Sequence, residues 1–326
     1  MTDTHSDTPA RGSGKVSLGG SELHVSRLCL GGNVFGWTAD QAQSFAVLDA
    51  FAAGGGNFVD TADVYSAWVP GHRGGESETV LGAWLRSRGN RDEMVIGTKV
   101  GGHPAMPGIS AANIQAATEG CLRRLGVERI DLLYTHWDFP ETPVEEFVPA
   151  LDALVRAGKV RAVAASNISA ARLSSALDFA AREGMAAYVA VQPHYNLVSR
   201  RSYEGPLATV VAARGLSCLP YYALASGFLT GKYRPGGGRA DSGRGHGAAD
   251  FLNDPRALRV LSALDKVADL HDTEPATVAL AWLNAQPTVA APIASARTVE
   301  QLPALLDGAR LALTAEDLEL LDAASN

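Results

Sequence analysis

The sequence predicts an α/β fold of the (β/α)8 TIM-barrel type. Short apolar segments with the length of strands alternate with amphipathic segments of helical length along nearly the whole chain. The interiors of the apolar segments lack alternating polar residues, which is typical of parallel strands buried on both faces. A chain of 326 residues is also long enough for such a barrel, which needs about 250 residues.

The elements follow in a regular order after a short hairpin, which two glycines predict within residues 15–25. Two additional helices precede the last strand and two follow it, and Thr314 with Asp317 has the spacing of a capping box. The eight predicted strands are 27–30, 57–60, 94–99, 130–135, 160–165, 187–192, 216–221 and 288–293. The predicted helices are 39–53, 76–86, 111–125, 144–157, 170–183, 205–214, 255–270, 275–285, 299–306 and 314–323.

The domain organisation predicted from this pattern is simple. Residues 1–14 are polar and are expected to form a disordered tail, and residues 15–326 are expected to form a single barrel domain. A glycine-rich segment at 236–247 is expected to be a loop, and no linker rich in proline or serine divides the chain. A dinucleotide-binding open sheet is disfavoured because the first strand is not followed by a Gly-x-Gly-x-x-Gly turn.

Composition excludes several classes of function. The formal net charge of −7 argues against a nucleic-acid-binding surface. No apolar run reaches the roughly 18 residues that a membrane span needs, and the N-terminus has no apolar signal segment, so we expect a cytoplasmic protein without a membrane partner. The three cysteines are scattered and fit a reducing compartment, and the eight histidines show no metal-ligand spacing, so no metal is expected.

Ionisable side chains follow three neighbouring predicted strands. Asp60, Lys99 and His136 each come at or directly after the end of an apolar run, and Tyr65 follows Asp60 by five residues. In a closed parallel barrel the carboxyl ends of the strands surround one mouth, where the active site lies. Each residue alone could be a turn or surface residue, but together the four make the parts of a proton-transfer site.

These four groups have complementary chemistry. A phenol has an ordinary pKa near 10, and an adjacent ammonium group stabilises the phenolate and lowers that pKa, while a carboxylate keeps the ammonium charged. A neutral imidazole can donate a hydrogen bond to a carbonyl oxygen. The set therefore predicts a site that protonates an oxygen atom as it becomes an alkoxide, which in turn requires a hydride donor.

Three segments then resemble the aldo-keto reductases, and the resemblance covers residues 16–323. These segments are 57–65 (NFVDTADVY), 120–137 (GCLRRLGVERIDLLYTHW) and 221–233 (YYALASGFLTGKY). The resemblance implies a barrel that binds NADPH (NADP) without a Rossmann turn and reduces an aldehyde or ketone. It also implies roles for the four residues: Tyr65 as the general acid, Lys99 as its partner, Asp60 as the ion pair of the lysine, and His136 as the group that orients the carbonyl.

The resemblance also implies a set of cofactor-binding residues. Gly32 and Asn33, with Asp60, would lie near the nicotinamide ribose, and Tyr221 would stack under the ring. Arg297 favours NADPH over NADH, because a guanidinium binds the additional phosphate well. The carboxamide would bind Ser166, Asn167 and Gln192; the pyrophosphate Leu224, Ser226, Gly227 and Lys232; and the adenosine end Ser295, Arg297 and Gln301, at a helix N-terminus.

The substrate pocket is predicted less directly. Loop aromatics after strands one, two and four could either line the pocket or only cover the rim of the barrel: Trp37, Trp68, Trp137 and Phe139. If they line it, an apolar or aromatic carbonyl compound fits better than a small charged acid. The sequence departs from many relatives at Ala304-Leu305, where an adenine-binding Glu-Asn is common, and at Tyr222-Ala223, where Ser-Pro is common.

Two other functions remain as alternatives. The barrel resembles the β-subunits of voltage-gated potassium channels, so a cofactor-binding regulatory subunit with vestigial activity is one of them. A barrel hydrolase is the other, although Lys99 and Tyr65 have no role in a mechanism with two carboxylates. The oligomeric state, the physiological substrate and the preferred direction of the reaction are left open by the sequence, and a homo-oligomer is compatible with it.

Overall fold

Parallel strands surrounded by helices form the centre of the molecule in a computed structural model that describes residues 14–236, 247–248 and 250–326. The strands are β1 (Val16–Ser17), β2 (His24–Val25), β3 (Cys29–Gly31), β4 (Phe58–Asp60), β5 (Val95–Val100), β6 (Gly102–His103), β7 (Met106–Pro107), β8 (Ile130–Thr135), β9 (Val160–Ser166), β10 (Tyr188–Gln192), β11 (Ser217–Cys218) and β12 (Ile293–Ala294). The helices are α1 (Gln41–Ala53), α2 (Glu76–Arg88), α3 (Ala111–Leu125), α4 (Val144–Arg156), α5 (Ala170–Glu183), α6 (Pro206–Ala213), α7 (Pro255–Leu270), α8 (Pro275–Ala285), α9 (Leu302–Gly308) and α10 (Ala315–Ser325).

The main sheet has the strand order β11-β10-β9-β8-β5-β4-β3-β12, and all its pairs are parallel. Backbone hydrogen bonds join its two ends. The Cys218 N–H donates to the Thr288 carbonyl at 2.8 Å, and the Ile293 N–H donates to the Pro220 carbonyl at 2.8 Å. The strands therefore close into a ring, and the predicted eight-stranded barrel is confirmed.

Two apolar cores follow from the alternation of side chains along the strands. The inner core fills the barrel with residues such as Phe58, Leu132 and Leu219, and the hairpin β1–β2 adds Leu18 and Leu23 to it. The outer core lies between the strands and the surrounding helices. Because the hairpin packs with residues that begin the barrel strands, it covers the N-terminal end of the barrel and leaves the C-terminal mouth for the site.

Several predicted boundaries are confirmed to the residue, because strong local signals mark them. Helices α3 and α5 begin after Ser110 and Ser169. Each serine hydroxyl accepts a hydrogen bond from the backbone N–H three residues later, and each helix ends at a glycine in the left-handed conformation. Helices α7 and α8 likewise have the predicted bounds. Thr314 caps α10, and Asp317 completes the capping box as predicted.

The last two barrel strands and the helix after them differ from the prediction. Regular pairing covers only Ser217–Cys218 and Ile293–Ala294, because Pro220 and Pro292 have no N–H group to donate to a neighbouring strand. The predicted helix at 299–306 divides into a 3₁₀ turn, Val299–Gln301, and the seven-residue helix α9, with Pro303 in the first turn of α9. The predicted tail at 1–14 and the loop at 236–247 lie almost entirely outside the described residues.

Candidate active site

Asp60, Lys99 and Tyr65 meet at the mouth of the barrel. The Lys99 ammonium donates to Asp60 Oδ2 at 2.5 Å, to the Tyr65 hydroxyl oxygen at 2.8 Å and to the Thr61 carbonyl at 2.8 Å. The side chains of Asp60 and Lys99 are each only 1% exposed. The Tyr65 hydroxyl donates to Asp60 Oδ2 over a longer distance of 3.3 Å. The phenolic oxygen therefore accepts a short bond from a cation, whereas its own proton is held only weakly.

The backbone fixes these side chains to two neighbouring strands. Asp60 ends β4, and the next N–H, that of Thr61, donates to the Gly97 carbonyl of β5 at 2.8 Å. The Asp63 N–H continues the ladder to the Lys99 carbonyl at 3.1 Å. The segment that carries Tyr65 is therefore attached along the strand that carries Lys99, which holds the phenol over the ammonium group.

His136 lies beside Tyr65 at the end of β8, with the two rings 6.3 Å apart. It is buried, and its Nδ1 atom has no hydrogen-bond partner. Burial, with a smaller effect from the Lys99 charge, lowers the pKa of His136 to about 3. The imidazole is therefore neutral at physiological pH and can donate one N–H bond to an oxygen without bringing a second cation into the mouth.

A connected group of amides and hydroxyls lies on the neighbouring strands β9 and β10. The Gln192 side-chain amide donates to Asp60 Oδ1 at 3.0 Å, and the Ser166 hydroxyl donates to the Gln192 carbonyl at 2.9 Å. Asn167, in a left-handed conformation with φ 51°, donates to the His136 carbonyl at 2.9 Å and accepts from the Tyr221 hydroxyl at 2.8 Å. These three predicted residues therefore connect the Asp60 carboxylate, the backbone carbonyl of His136 and the Tyr221 hydroxyl.

A cavity of about 420 Å³ opens beside this group. Asn167, Gln192, His194 and Tyr221 line it on one side. The His194 ring stacks on Tyr221 with a centroid distance of 5.5 Å, and burial raises the pKa of Tyr221 to about 12, so its hydroxyl keeps its proton. Side-chain amides next to a flat aromatic face fit a pyridine ring that carries a carboxamide.

The segment after Tyr221 bends sharply around the mouth. Tyr222, Ala225 and Ser226 have positive φ angles of 53°, 47° and 57°, and Gly227 follows with 92°. The Lys232 ammonium lies only 3.2 Å from the place where a Cβ of residue 227 would be, so a glycine there leaves room for the lysine. Leu224 precedes the bend and packs against the outer core. A bent backbone with one exposed lysine fits a pyrophosphate group.

The remaining predicted cofactor residues lie in the segments that follow β3 and β12. The Ser295 hydroxyl donates to Asn33 Oδ1 at 2.7 Å, which connects the loops after β12 and β3. Gly32 directly precedes Asn33, and its N–H donates to the Asp60 carbonyl at 2.7 Å. The Arg297 N–H donates to Gln301 Oε1 at 2.8 Å, and the Arg297 guanidinium has no ion-pair partner among the residues that the structure describes.

Aromatic side chains lie around Tyr65 and His136 at the mouth of the barrel. Trp68 contacts both Trp37 and Tyr65 edge to face, with centroid distances of 5.5 and 6.2 Å, and Trp137 stacks on His136 at 5.7 Å. Trp68 is 51% exposed and Trp137 48%. Phe139 is not part of this ring, because it packs against the outer core. The three tryptophans thus form an apolar entrance around Tyr65 and His136.

Sequence reasoning missed the residues beneath the site. Tyr134 lies fully buried on β8 under Lys99, with the ammonium 5.6 Å from its ring centroid, and burial raises its pKa well above the ordinary value. Gly97 makes room for this ring, since a Cβ there would lie 3.1 Å from Tyr134. A tyrosine two residues before His136 within a strand indicated that its ring faces the same side as the histidine, and only this alternation could have located it.

The described residues contain neither a candidate metal site nor a candidate membrane-spanning helix. Within that part of the chain no three histidine, cysteine or acidic side chains come together in a way that could hold a metal ion. None of the helices there combines the length and the apolar character needed to cross a bilayer.

Comparison with known proteins identifies the family. A family model described as "Aldo/keto reductase family" matches residues 27–326. The chain belongs to the aldo/keto reductase family. It is 34% identical to the "Uncharacterized oxidoreductase YrpG" of Bacillus subtilis, with 94% of each chain covered. It is 31% identical to the "Norsolorinic acid reductase stcV" of Emericella nidulans, over 91% of this chain and 77% of the relative.

A third relative comes from a different class. The chain is 32% identical to the "Probable voltage-gated potassium channel subunit beta" of rice, with 88% of each chain covered. As an aldo/keto reductase, the present protein is an oxidoreductase of a family that uses nicotinamide dinucleotides. The amides beside Tyr221, the bend near Lys232 and the guanidinium of Arg297 fit such a cofactor.

Proposed function

We propose that this aldo/keto reductase reduces an aldehyde or ketone to the alcohol with NADPH, and that Tyr65 supplies the proton. The observation that carries the proposal is the position of the Lys99 ammonium, which binds Asp60 Oδ2 at 2.5 Å and the Tyr65 oxygen at 2.8 Å. A buried cation in this position stabilises the phenolate that remains after the proton has left.

Each residue at the mouth has a separate role in the proposed reaction. The bound dinucleotide supplies the hydride. His136 donates a hydrogen bond from its neutral ring to the carbonyl oxygen of the substrate, and Tyr65 transfers its proton to that same oxygen. Asp60 keeps Lys99 charged and aimed, and Gln192 holds the other carboxylate oxygen. The burial of Asp60 and Lys99 keeps water from weakening their interaction.

Two side chains support the preference for NADPH. Arg297 has no carboxylate partner in the described chain and is half-buried near Ser295, and Gln301 lies close because its side chain accepts the Arg297 N–H. A guanidinium that is not already paired favours a cofactor with an additional phosphate. Ser166, Asn167 and Gln192 would hold the carboxamide, Tyr221 would pack on the ring, and Lys232 would neutralise the pyrophosphate.

The entrance supports an apolar, aromatic substrate. Trp37, Trp68 and Trp137 surround it, and the charges of Asp60 and Lys99 are already paired with each other. A flat aromatic ketone or aldehyde gains contact area against indole rings, whereas these rings offer no positive charge to a small charged acid. One relative is named a norsolorinic acid reductase, which supports a reductase function for the present chain.

The test compares the purified protein with a Tyr65→Phe variant. NADPH consumption is followed against aromatic, aliphatic, sugar and steroid carbonyl compounds, with NADH measured in parallel. We expect multiple turnovers with aromatic carbonyl compounds, and a loss of at least about a hundredfold in kcat for Tyr65→Phe, since a general acid contributes that much. NADPH binding, measured by fluorescence, should be nearly unchanged.

Two outcomes would contradict the proposal. Turnover of Tyr65→Phe within about tenfold of the unaltered protein would show that another group supplies the proton. A single oxidation of bound NADPH without further turnovers would instead favour the regulatory function suggested by the channel-subunit relative.

A further inference from the structure

Asp63 is a buried acid for which the proposed mechanism has no use. It lies on the segment between Asp60 and Tyr65 and is completely buried, yet neither of its carboxylate oxygens makes a hydrogen bond of good geometry within the described part of the chain. An ionised carboxylate without partners in such a place would be very unfavourable, so the side chain must be either neutral or compensated by a nearby cation.

The cation with the larger electrostatic effect on Asp63, Arg124, already has a carboxylate partner. Arg124 of α3 binds Glu78 of α2 through Nε and Oε2 at 2.6 Å. The other oxygen of Glu78 accepts the Thr98 hydroxyl at 2.6 Å, and Glu78 is fully buried. Asp63, Glu78 and Arg124, which we call the Asp63 cluster, thus contain two carboxyl groups and one guanidinium. Counting charges leaves Asp63 as the carboxyl group that carries a proton.

The Asp63 cluster is attached to both catalytic side chains from outside the barrel wall. Thr98, which Glu78 holds, comes directly before Lys99 in β5. The Asp63 N–H donates to the Lys99 carbonyl at 3.1 Å.

Arg124 packs against Gly75, where a Cβ would lie 2.3 Å from its Nε atom, and the Gly75 N–H donates to the Tyr65 carbonyl at 3.2 Å. Gly75 has a φ of 83°, which other residues rarely adopt, so the contact between Arg124 and the segment that carries Tyr65 depends on this glycine.

We propose that the Asp63 cluster positions Tyr65 and Lys99, and that it does so only while Asp63 carries a proton. Asp63 is a positioning residue in this proposal and does not touch the substrate. Its functional consequence rests on the proposed carbonyl reduction. When Asp63 loses its proton, a second buried negative charge competes for Arg124 and acts on Lys99, so the lysine stabilises the phenolate less well.

The electrostatic surroundings agree with this proposal. Burial, as the largest effect, and the negative charge of Glu78 together raise the pKa of Asp63 to about 7, against the opposing effects of Arg124, Lys99 and the Val64 N–H. Cys121 of α3, which lies beside Arg124, is neutral because burial raises its pKa well above the ordinary value, and the His103 ring lies near Gly74 on the other side of the Asp63 backbone. Asp63 therefore loses its proton within the range of physiological pH.

The test uses Asp63→Asn, which has nearly the same shape but cannot lose the proton. In the cofactor-free protein, the phenolate absorbance of Tyr65 is isolated by subtracting the spectrum of a Tyr65→Phe variant in each background. We expect the phenolate to form at a pH lower by about half a unit in Asp63→Asn, because the negative charge of Asp63 is gone. The free energy of unfolding of Asp63→Asn should also increase relative to that of the unaltered protein as pH rises from about 4 to about 7.

Asp131→Asn is the matched control. Asp131 is buried at the start of β8, where it pairs with Arg91 and Arg161 at the end of the barrel opposite the mouth. This variant should be less stable at every pH but should leave the phenolate titration unchanged. Equal phenolate titrations in Asp63→Asn and the unaltered protein would overturn the positioning role, and a stability difference independent of pH would overturn the proton on Asp63.

The pH profile of kcat then reports the functional consequence. The kcat of the unaltered protein should fall by about threefold as pH rises through about 7, because a half-unit shift of the phenolate corresponds to that factor, and Asp63→Asn should not show this step. A protein that reduces no carbonyl compound at all would refute the proposed function alone, because the phenolate and unfolding measurements still decide the role of the Asp63 cluster. Identical pH profiles in an active enzyme would contradict the cluster.

Discussion

The ammonium group of Lys99 uses its three N–H bonds on three different oxygens, those of Asp60, Thr61 and Tyr65. No N–H bond is left over for water or for a substrate. The lysine therefore contributes its charge and its hydrogen bond to Tyr65, and its removal would leave the buried Asp60 carboxylate with only Gln192 and Tyr65 as partners.

Replacing Lys99 with methionine should reduce both activity and stability. We expect kcat to fall by at least about a hundredfold and the free energy of unfolding by about 3–5 kcal/mol, because one member of a buried ion pair is removed. Urea unfolding and steady-state kinetics measure the two effects. Lys159→Met, at a partly exposed pair with Glu119, is the control and should change stability by less than about 1 kcal/mol. Equal stability of the two variants would contradict the expectation.

At the scale of residues, the sequence located site residues wherever an ionisable side chain follows an apolar run. Asp60, Lys99 and His136 could be placed at one mouth because each marks the end of a strand in a parallel barrel. The partner of Asp60 could not be found in this way. Gln192 reaches it across 132 positions of sequence, and only the closed ring of strands brings β10 opposite β4.

The bounds of helices and strands could be predicted where local sequence signals mark both of their ends. Helix α5 has a serine cap and a left-handed glycine, and its bounds match the prediction. Strands β11 and β12 have no such signals and lie next to prolines, so their pairing is set by the closure of the barrel and not by their own sequence. Local propensity is a weak guide wherever a long-range pairing decides the structure.

The capping box of α10 gives a prediction at this scale. The Thr314 hydroxyl accepts the Asp317 N–H at 3.2 Å, and Asp317 Oδ2 accepts the Thr314 N–H at 2.9 Å as well as a bond from His271 at 2.8 Å. Thr314→Ala should lower the free energy of unfolding by about 1 kcal/mol because the first N–H groups of the helix lose a partner. Thr314→Ser, which keeps the hydroxyl, should restore most of this loss in urea unfolding, and failure to do so would show that packing of the methyl group matters more.

On the scale of the whole molecule, two buried groups give the protein opposite responses to pH. The pKa of His136 is lowered to about 3, so the folded state resists protonation that the unfolded chain accepts, and stability is lost as pH falls from about 6.5 to about 3. The pKa of Asp63 is raised to about 7, so the folded state holds a proton that the unfolded chain releases. That contribution is present at low pH and is lost as pH rises from about 4 to about 7.

Between about pH 4 and pH 6.5 the two effects overlap and should nearly cancel, since each amounts to about 1.4 kcal/mol per pH unit. Removing one of them should expose the other. The stability of Asp63→Asn should rise with pH in this range, that of His136→Asn should fall, and the double variant should follow the nearly flat profile of the unaltered protein. Urea unfolding of the four proteins across this range measures the slopes. Parallel profiles for the two single variants would contradict the assignment of protons to these two groups, because opposite slopes require one group that holds a proton in the folded state, Asp63, and one that excludes it, His136.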